Sequence, residues 1–149
     1  MGNIKKVCEE IANYSLDKLE LNSDAALQMV MTTGQTESGY DYLRQIKGPA
    51  IGFWQVEPFT MNDTIENYVN YRPELKTKLY ALGYDEKDAE MRLMSNMSLQ
   101  VAFCRLKYRR DKHALPGMDD IEAQAKYWKR IYNSEKGRGT VEHFIKANK

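Results

Sequence analysis

The stretch from Glu86 to Arg110 constrains the fold most, because Met91, Met94, Leu99, Ala102, Phe103 and Leu106 recur in it at helical spacing. Around 97–104 it is apolar on more than one face, as a helix surrounded by others should be. Asp85 stands where an N-cap belongs, so the spacing predicts one central helix over 86–110. The other elements must then wrap around it.

Their periods are helical too. Ile4, Val7, Cys8, Ile11, Tyr14 and Leu19 fall near one stripe and predict a first helix over residues 3–20. Asn22, Ser23 and Asp24 offer caps for a second, in which Leu27, Val30 and Met31 make an apolar face and Glu37 falls near the C-terminal end. Gly34 inside that pattern costs roughly 1 kcal/mol relative to alanine, which implies close backbone packing or an early helix end. Residues 38–51 carry Gly39, Gly48 and Pro49 and read as a loop with at most a small β-hairpin. Further helices are expected from Thr60 to Asn70 and from Pro73 to Leu82, where Gly83 ends the run. Two more are expected over IEAQAKYWKRIY behind Asp119 or Asp120, and over VEHFIKAN behind Thr140. The expected class is mainly α.

At 149 residues, with no repeat or long linker, one domain over 1–149 is expected. Twenty-two basic against twenty-one acidic side chains leave a net charge of +1, so nucleic acid is not the expected partner. The basic run KYRRDKH, residues 107–113, reads as a solvated helix end that could ease approach to an anionic surface. Glu9 and Glu10 interrupt the apolar core that a signal peptide needs, so neither export signal nor membrane anchor is expected. Cys8 and Cys104 form neither a CxxC pair nor a metal spacing and read as small buried hydrophobes. His113 and His143 lack acidic or thiol ligands at metal spacing, so no metal site is proposed.

Glu37 is the candidate with chemistry. A lone glutamate near a helix end is ordinarily a solvated charge. Apolar walls would change that by disfavouring the carboxylate, and Tyr40, Phe53 and Trp54 are near enough in sequence to supply them. The negative end of the helix dipole acts in the same direction. Gly52 would let backbone approach a ligand, and Gln55 offers a donor and an acceptor suited to sugar hydroxyl and acetamido groups. Phe53 and Trp54 fit a core as well as a stacking platform.

The stretch TESGYDYLRQIKGPAIGFWQVEP, residues 36–58, resembles the catalytic segment of soluble lytic transglycosylases and goose-type lysozymes in the lysozyme-like superfamily. The family's Glu-Ser pair is matched by Glu37-Ser38, and its Gly-Leu-Met-Gln motif by Gly52-Phe53-Trp54-Gln55. NMSLQVAFCRLKY from Asn96 is similar to the start of the family's central helix, and IYNSEKGRGTV to its Ala-Tyr-Asn-Ala-Gly-x-Gly turn. These motifs follow the family's order and together span residues 27–144.

The resemblance implies a lysozyme-like α-helical domain that cleaves the β-1,4 bond between N-acetylmuramic acid and N-acetylglucosamine in peptidoglycan. It implies that Glu37 is the catalytic acid and that Gln55, Tyr132 and Asn133 line the substrate cleft, with Tyr132 hydrogen-bonding near the reacting sugar. Ser38, grouped with these on the substrate side, would support the turn or Glu37 itself. No cofactor is needed for such acid catalysis, and a monomer acting on glycan strands is expected. A short, leaderless glycan cleaver resembles a phage endolysin or virion-associated enzyme, made in the host cytoplasm and acting on the bacterial wall.

The departures bear on reaction type. Phe53-Trp54 replaces Leu-Met, Ser134-Glu135 replaces a small pair, and the polar residue midway between the family's motifs is matched loosely by Gln45 or Ile46. Glu57 matters most, since Gln55-Val56-Glu57 resembles the Gln-Val-Asp of goose-type lysozymes. With Glu37 alone, the muramyl C6 hydroxyl can attack and close a 1,6-anhydro ring, as lytic transglycosylases do. With Glu57 as a second carboxylate, or less readily Asp41 or Asp63, water can be activated instead. A non-catalytic glycan-binding or structural virion domain is the competing class.

Overall fold

Helix boundaries follow capping residues along most of the chain. The computed structural model describes residues 3–45, 48–134 and 137–149, so the matches drawn on Ile46 and Glu135 lie outside the described residues. The elements are α1 (Asn3–Leu19), α2 (Asp24–Ser38), α3 (Pro58–Asn67), a 3₁₀ turn (Val69–Tyr71), α4 (Pro73–Ala81), α5 (Ala89–Ser95), α6 (Met97–Arg109), α7 (Ile121–Tyr127), a π-helical segment (Trp128–Asn133) and α8 (Val141–Ala147). The mainly α expectation holds.

Ser23 starts α2 by accepting the Ala26 N–H at 3.0 Å, and Gly39 ends it in the left-handed region with φ +61°. Asp120 caps α7 through the Ala123 N–H at 3.1 Å, and Thr140 caps α8 through the His143 N–H at 3.0 Å. Prolines open α3 and α4, where their missing N–H has no intrahelical partner to lose. Gly34 does not end α2. A Cβ there would collide with the Tyr40 ring, which packs across the helix and donates its hydroxyl to the Met31 carbonyl at 2.8 Å.

The single helix expected over 86–110 is two. Asn96 is extended, with φ −130° and ψ 102°, and its Oδ1 accepts the Ser98 and Leu99 N–H groups at 2.9 and 3.3 Å. Its Nδ2 donates to the Leu82 carbonyl at 2.8 Å, so the residue caps α6 and ties its start to the end of α4. Asp85 is not a helix cap. It accepts the Lys87 N–H at 2.9 Å in a turn, and α5 begins only at Ala89.

Helix α6 is the centre. Every residue from Leu99 to Leu106 is buried, and the helix packs against α1, α2, α3, α5 and the π-helical segment. Burying side chains such as Leu99, Phe103 and Leu106 contributes about 1.5–3 kcal/mol each, well above any difference in helix propensity. Burial therefore places this helix. Cys8 and Cys104 are free thiols inside the same apolar cluster.

The loop after α2 folds back on itself with little strand. Among the described residues, Ile51 bridges both Arg44 and Val56, and the Ile51–Val56 pair exchanges hydrogen bonds of 2.9 and 3.0 Å. The hairpin reduces to these bridges. They suffice to carry Gln55 and Glu57 back toward the end of α2.

Candidate active site

Glu37, on the last turn of α2, stands between two cavities. The larger, about 520 Å³, is lined by Glu37, Gln55, Glu57, Phe103, Lys107, Tyr132 and Asn133 among others. The smaller, about 280 Å³, shares Glu37, Gln55 and Asn133 and adds Tyr42, Trp128 and His143. Five of the six residues singled out in the sequence therefore converge.

The carboxyl of Glu37 is positioned by a residue that sequence reading missed. Trp128 Nε1 donates to Glu37 Oε2 at 2.9 Å, while Oε1 receives no protein hydrogen bond among the described residues. Burial raises the Glu37 pKa from 4.5 to about 7, and the Trp128 hydrogen bond and the nearby Lys107 charge hold it from rising further. Half the population is protonated near neutrality. Tyr42 donates to the Glu37 carbonyl at 2.8 Å and steadies the helix end that carries the acid.

Trp128 is itself held by packing. Its ring lies 5.6 Å from that of Phe144, and a Cβ at Gly139 would collide with it. The i→i+5 winding of the π-helical segment puts Trp128 and Asn133 beside the same small cavity. Helix α8 docks on α2 through Asn148, whose Nδ2 reaches Thr36 Oγ1 at 2.9 Å, and through a 3.2 Å contact of His143 Nε2 with the Thr36 carbonyl. The C-terminal part of the chain thus completes the wall around the acid.

The aromatic walls differ from those expected. Tyr40, Phe53 and Trp54 are core residues outside both cavity linings; they pack edge to face, and Trp54 Nε1 donates to the Val30 carbonyl at 2.9 Å. Large rings near Glu37 in sequence were drawn inward because burial of so much apolar surface outweighs a place at a polar cleft. Phe103, Val56 and Trp128 flank the cavities instead. Gly52 also turns inward: a Cβ there would strike the Gln100 side chain, so its close approach serves α6 and not a ligand.

Ser38 belongs under the turn and lines neither cavity. It is buried, donates to the Gly34 carbonyl at 3.2 Å and accepts the Tyr40 N–H at 3.1 Å. Tyr132 lines the larger cavity but commits its hydroxyl hydrogen to the Trp54 carbonyl, so that hydrogen is not offered to a sugar. Gln55 donates to the Gly52 carbonyl at 2.8 Å and leaves its amide oxygen free of protein donors among the described residues. Asn133 Oδ1 accepts from Lys129 Nζ at 2.9 Å.

Glu57 is exposed at the start of α3 and lines the larger cavity. Asp63 is instead bound to Arg110 at 2.7 Å and to Asn67 at 2.6 Å, and neither it nor Asp41 lines either cavity. Among the described residues, Glu57 is the second carboxylate that the cavity offers. The run 107–113 is not one solvated patch: Lys107 faces the cavity, Tyr108 is buried, and Asp111 pairs with Arg130 and His113.

No described helix is long and apolar enough to cross a membrane. No family model, curated protein or solved structure matches the chain.

Proposed function

We propose that the chain is a peptidoglycan glycosidase that cleaves the β-1,4 bond between N-acetylmuramic acid and N-acetylglucosamine. The observation that carries the reading is Glu37, a desolvated carboxyl with a pKa of about 7, held by Trp128 at the wall of a 520 Å³ cavity. Such an acid can donate a proton near neutral pH and then act as a base.

In the transglycosylase form, Glu37 Oε1 protonates the glycosidic oxygen as the bond to C1 of the muramyl sugar breaks. The resulting carboxylate accepts the proton of that sugar's C6 hydroxyl as its oxygen attacks C1. A 1,6-anhydro ring closes and the acid is regenerated. No water is consumed, and attack from within the same sugar supplies effective molarities of about 10⁵–10⁸ M when well oriented.

Glu57 favours a second reading, lysozyme-type hydrolysis, because it faces the same cavity. There it would deprotonate a water that attacks C1 from the opposite face of the sugar. Mass spectrometry of muropeptides released from purified walls decides between the two. Products one water lighter than reducing-end muropeptides support transglycosylation, reducing ends alone support hydrolysis, and no release by the wild-type protein overturns both.

A further inference from the structure

Lys107 carries hydrogen-bonding capacity toward the larger cavity that the described residues leave unused. The residue is half-buried on the last turn of α6, and its Nζ donates to the Tyr132 carbonyl at 2.7 Å while lying 4.7 Å from the centroid of the Tyr132 ring. An ammonium has three N–H donors. Among the described residues, the Tyr132 carbonyl is the acceptor it meets, and no carboxylate forms an ion pair with it. Burial disfavours its charge, and the fields of Glu37 and Glu57 offset only part of that cost without satisfying its donors. A partly desolvated cation with spare donors at a cavity wall is suited to an anionic ligand.

We propose that Lys107 binds a carboxylate carried by the substrate and so selects muramyl-containing strands over neutral chitin-type strands. The inference rests on the glycosidase reading for the identity of the ligand. Lys107 and Glu37 line one cavity, so the carboxylate would belong to the muramyl sugar at the cleaved bond. The muramyl sugar differs from N-acetylglucosamine by a lactyl ether. Its carboxylate is free in peptide-free strands, and in peptide-bearing strands the stem supplies carboxylates instead.

Calorimetric titration of the Glu37→Gln protein with three alternating tetrasaccharides tests this: the lactyl acid, its methyl amide and the peptide-bearing form. The lactyl acid should bind about tenfold more tightly than the methyl amide, the effect of one charge-assisted hydrogen bond. Adding Lys107→Met should erase the preference, and adding Lys107→Arg should keep most of it, which separates charge recognition from loss of fold. A Lys107-dependent gain confined to the peptide-bearing form would place the carboxylate on the stem and still support the proposal. Equal affinity for all three, or a preference that survives Lys107→Met, overturns it. Wall cleavage without a carboxylate preference would sink Lys107 alone, whereas a Lys107-dependent preference without cleavage would sink the reaction and leave the binding site.

Discussion

The two carboxylates that face the larger cavity among the described residues are chemically alike and physically opposed. Glu37 stands on the last turn of a long helix, is largely withdrawn from water and is gripped by an indole N–H, whereas Glu57 stands just ahead of Pro58 at the start of a helix and remains exposed. Burial therefore tunes Glu37 toward proton donation at neutral pH. Environment, not residue type, separates a proton donor from a surface charge.

The comparison breaks first at Glu37 itself. Glu37→Gln should lower wall cleavage by about 10³-fold, within the range for losing a general acid and base. Release of soluble muropeptides measures it, and unchanged release would end the catalytic assignment.

A stability difference comes next. The folded pKa of Glu37 lies above its unfolded value, so its ionisation costs stability that begins to be lost above pH 4.5 and is fully lost above about pH 7. At pH 8 the cost is on the order of 3 kcal/mol. Glu37→Gln should therefore be more stable than wild type at pH 8, with the gap closing toward pH 4, while Glu57→Gln should stay within about 0.5 kcal/mol at both. Urea melts at the two pH values would expose a flat difference, which would contradict the buried-acid reading.

Trp128→Phe removes the donor that stabilises the Glu37 carboxylate. The basic limb of the kcat/KM profile, expected near pH 7 in wild type, should move to higher pH, and the rate at its plateau should fall about tenfold as the carboxyl loses its orientation. A basic limb that stays put would mean that the indole contributes packing alone.

The smallest expected effect is on Glu57. In the transglycosylase form Glu57→Gln should change wall cleavage by no more than about threefold, because the C6 hydroxyl needs no second base. A loss of about 10² or more, with reducing-end products, would hand the reaction to water.

Much of this was legible because short-range chemistry carried it. Ser23, Gly39, Asp120 and Thr140 act within a few residues of themselves, so the ends they set could be read directly. Glu37, Gln55, Glu57, Tyr132 and Asn133 were found by residue type and motif order, and they do meet at one cavity. The motif beginning at Asn96 marked the start of α6, but the period of 86–110 continues unbroken through it, because the Leu82 carbonyl that ties Asn96 down lies fourteen residues away.

Trp128 and Lys107 escaped notice for a related reason. Trp128 lies in an amphipathic run and is indeed buried, but nothing local shows that its N–H reaches Glu37, while Lys107 lies in a basic run that reads as solvated. Tyr40, Phe53 and Trp54 failed in the opposite sense, since nearness in sequence to Glu37 says nothing about which way a ring will be buried.

By itself, the sequence determined a mainly helical chain, its principal stops and starts, and the candidate acid, since periodicity, capping and residue chemistry act locally. Only the tertiary structure decided that Glu37 is desolvated, that an indole ninety-one positions along the chain holds it, and that a lysine shares its cavity. Desolvation and convergence depend on what packs from every direction at once, and no window along a single chain contains that.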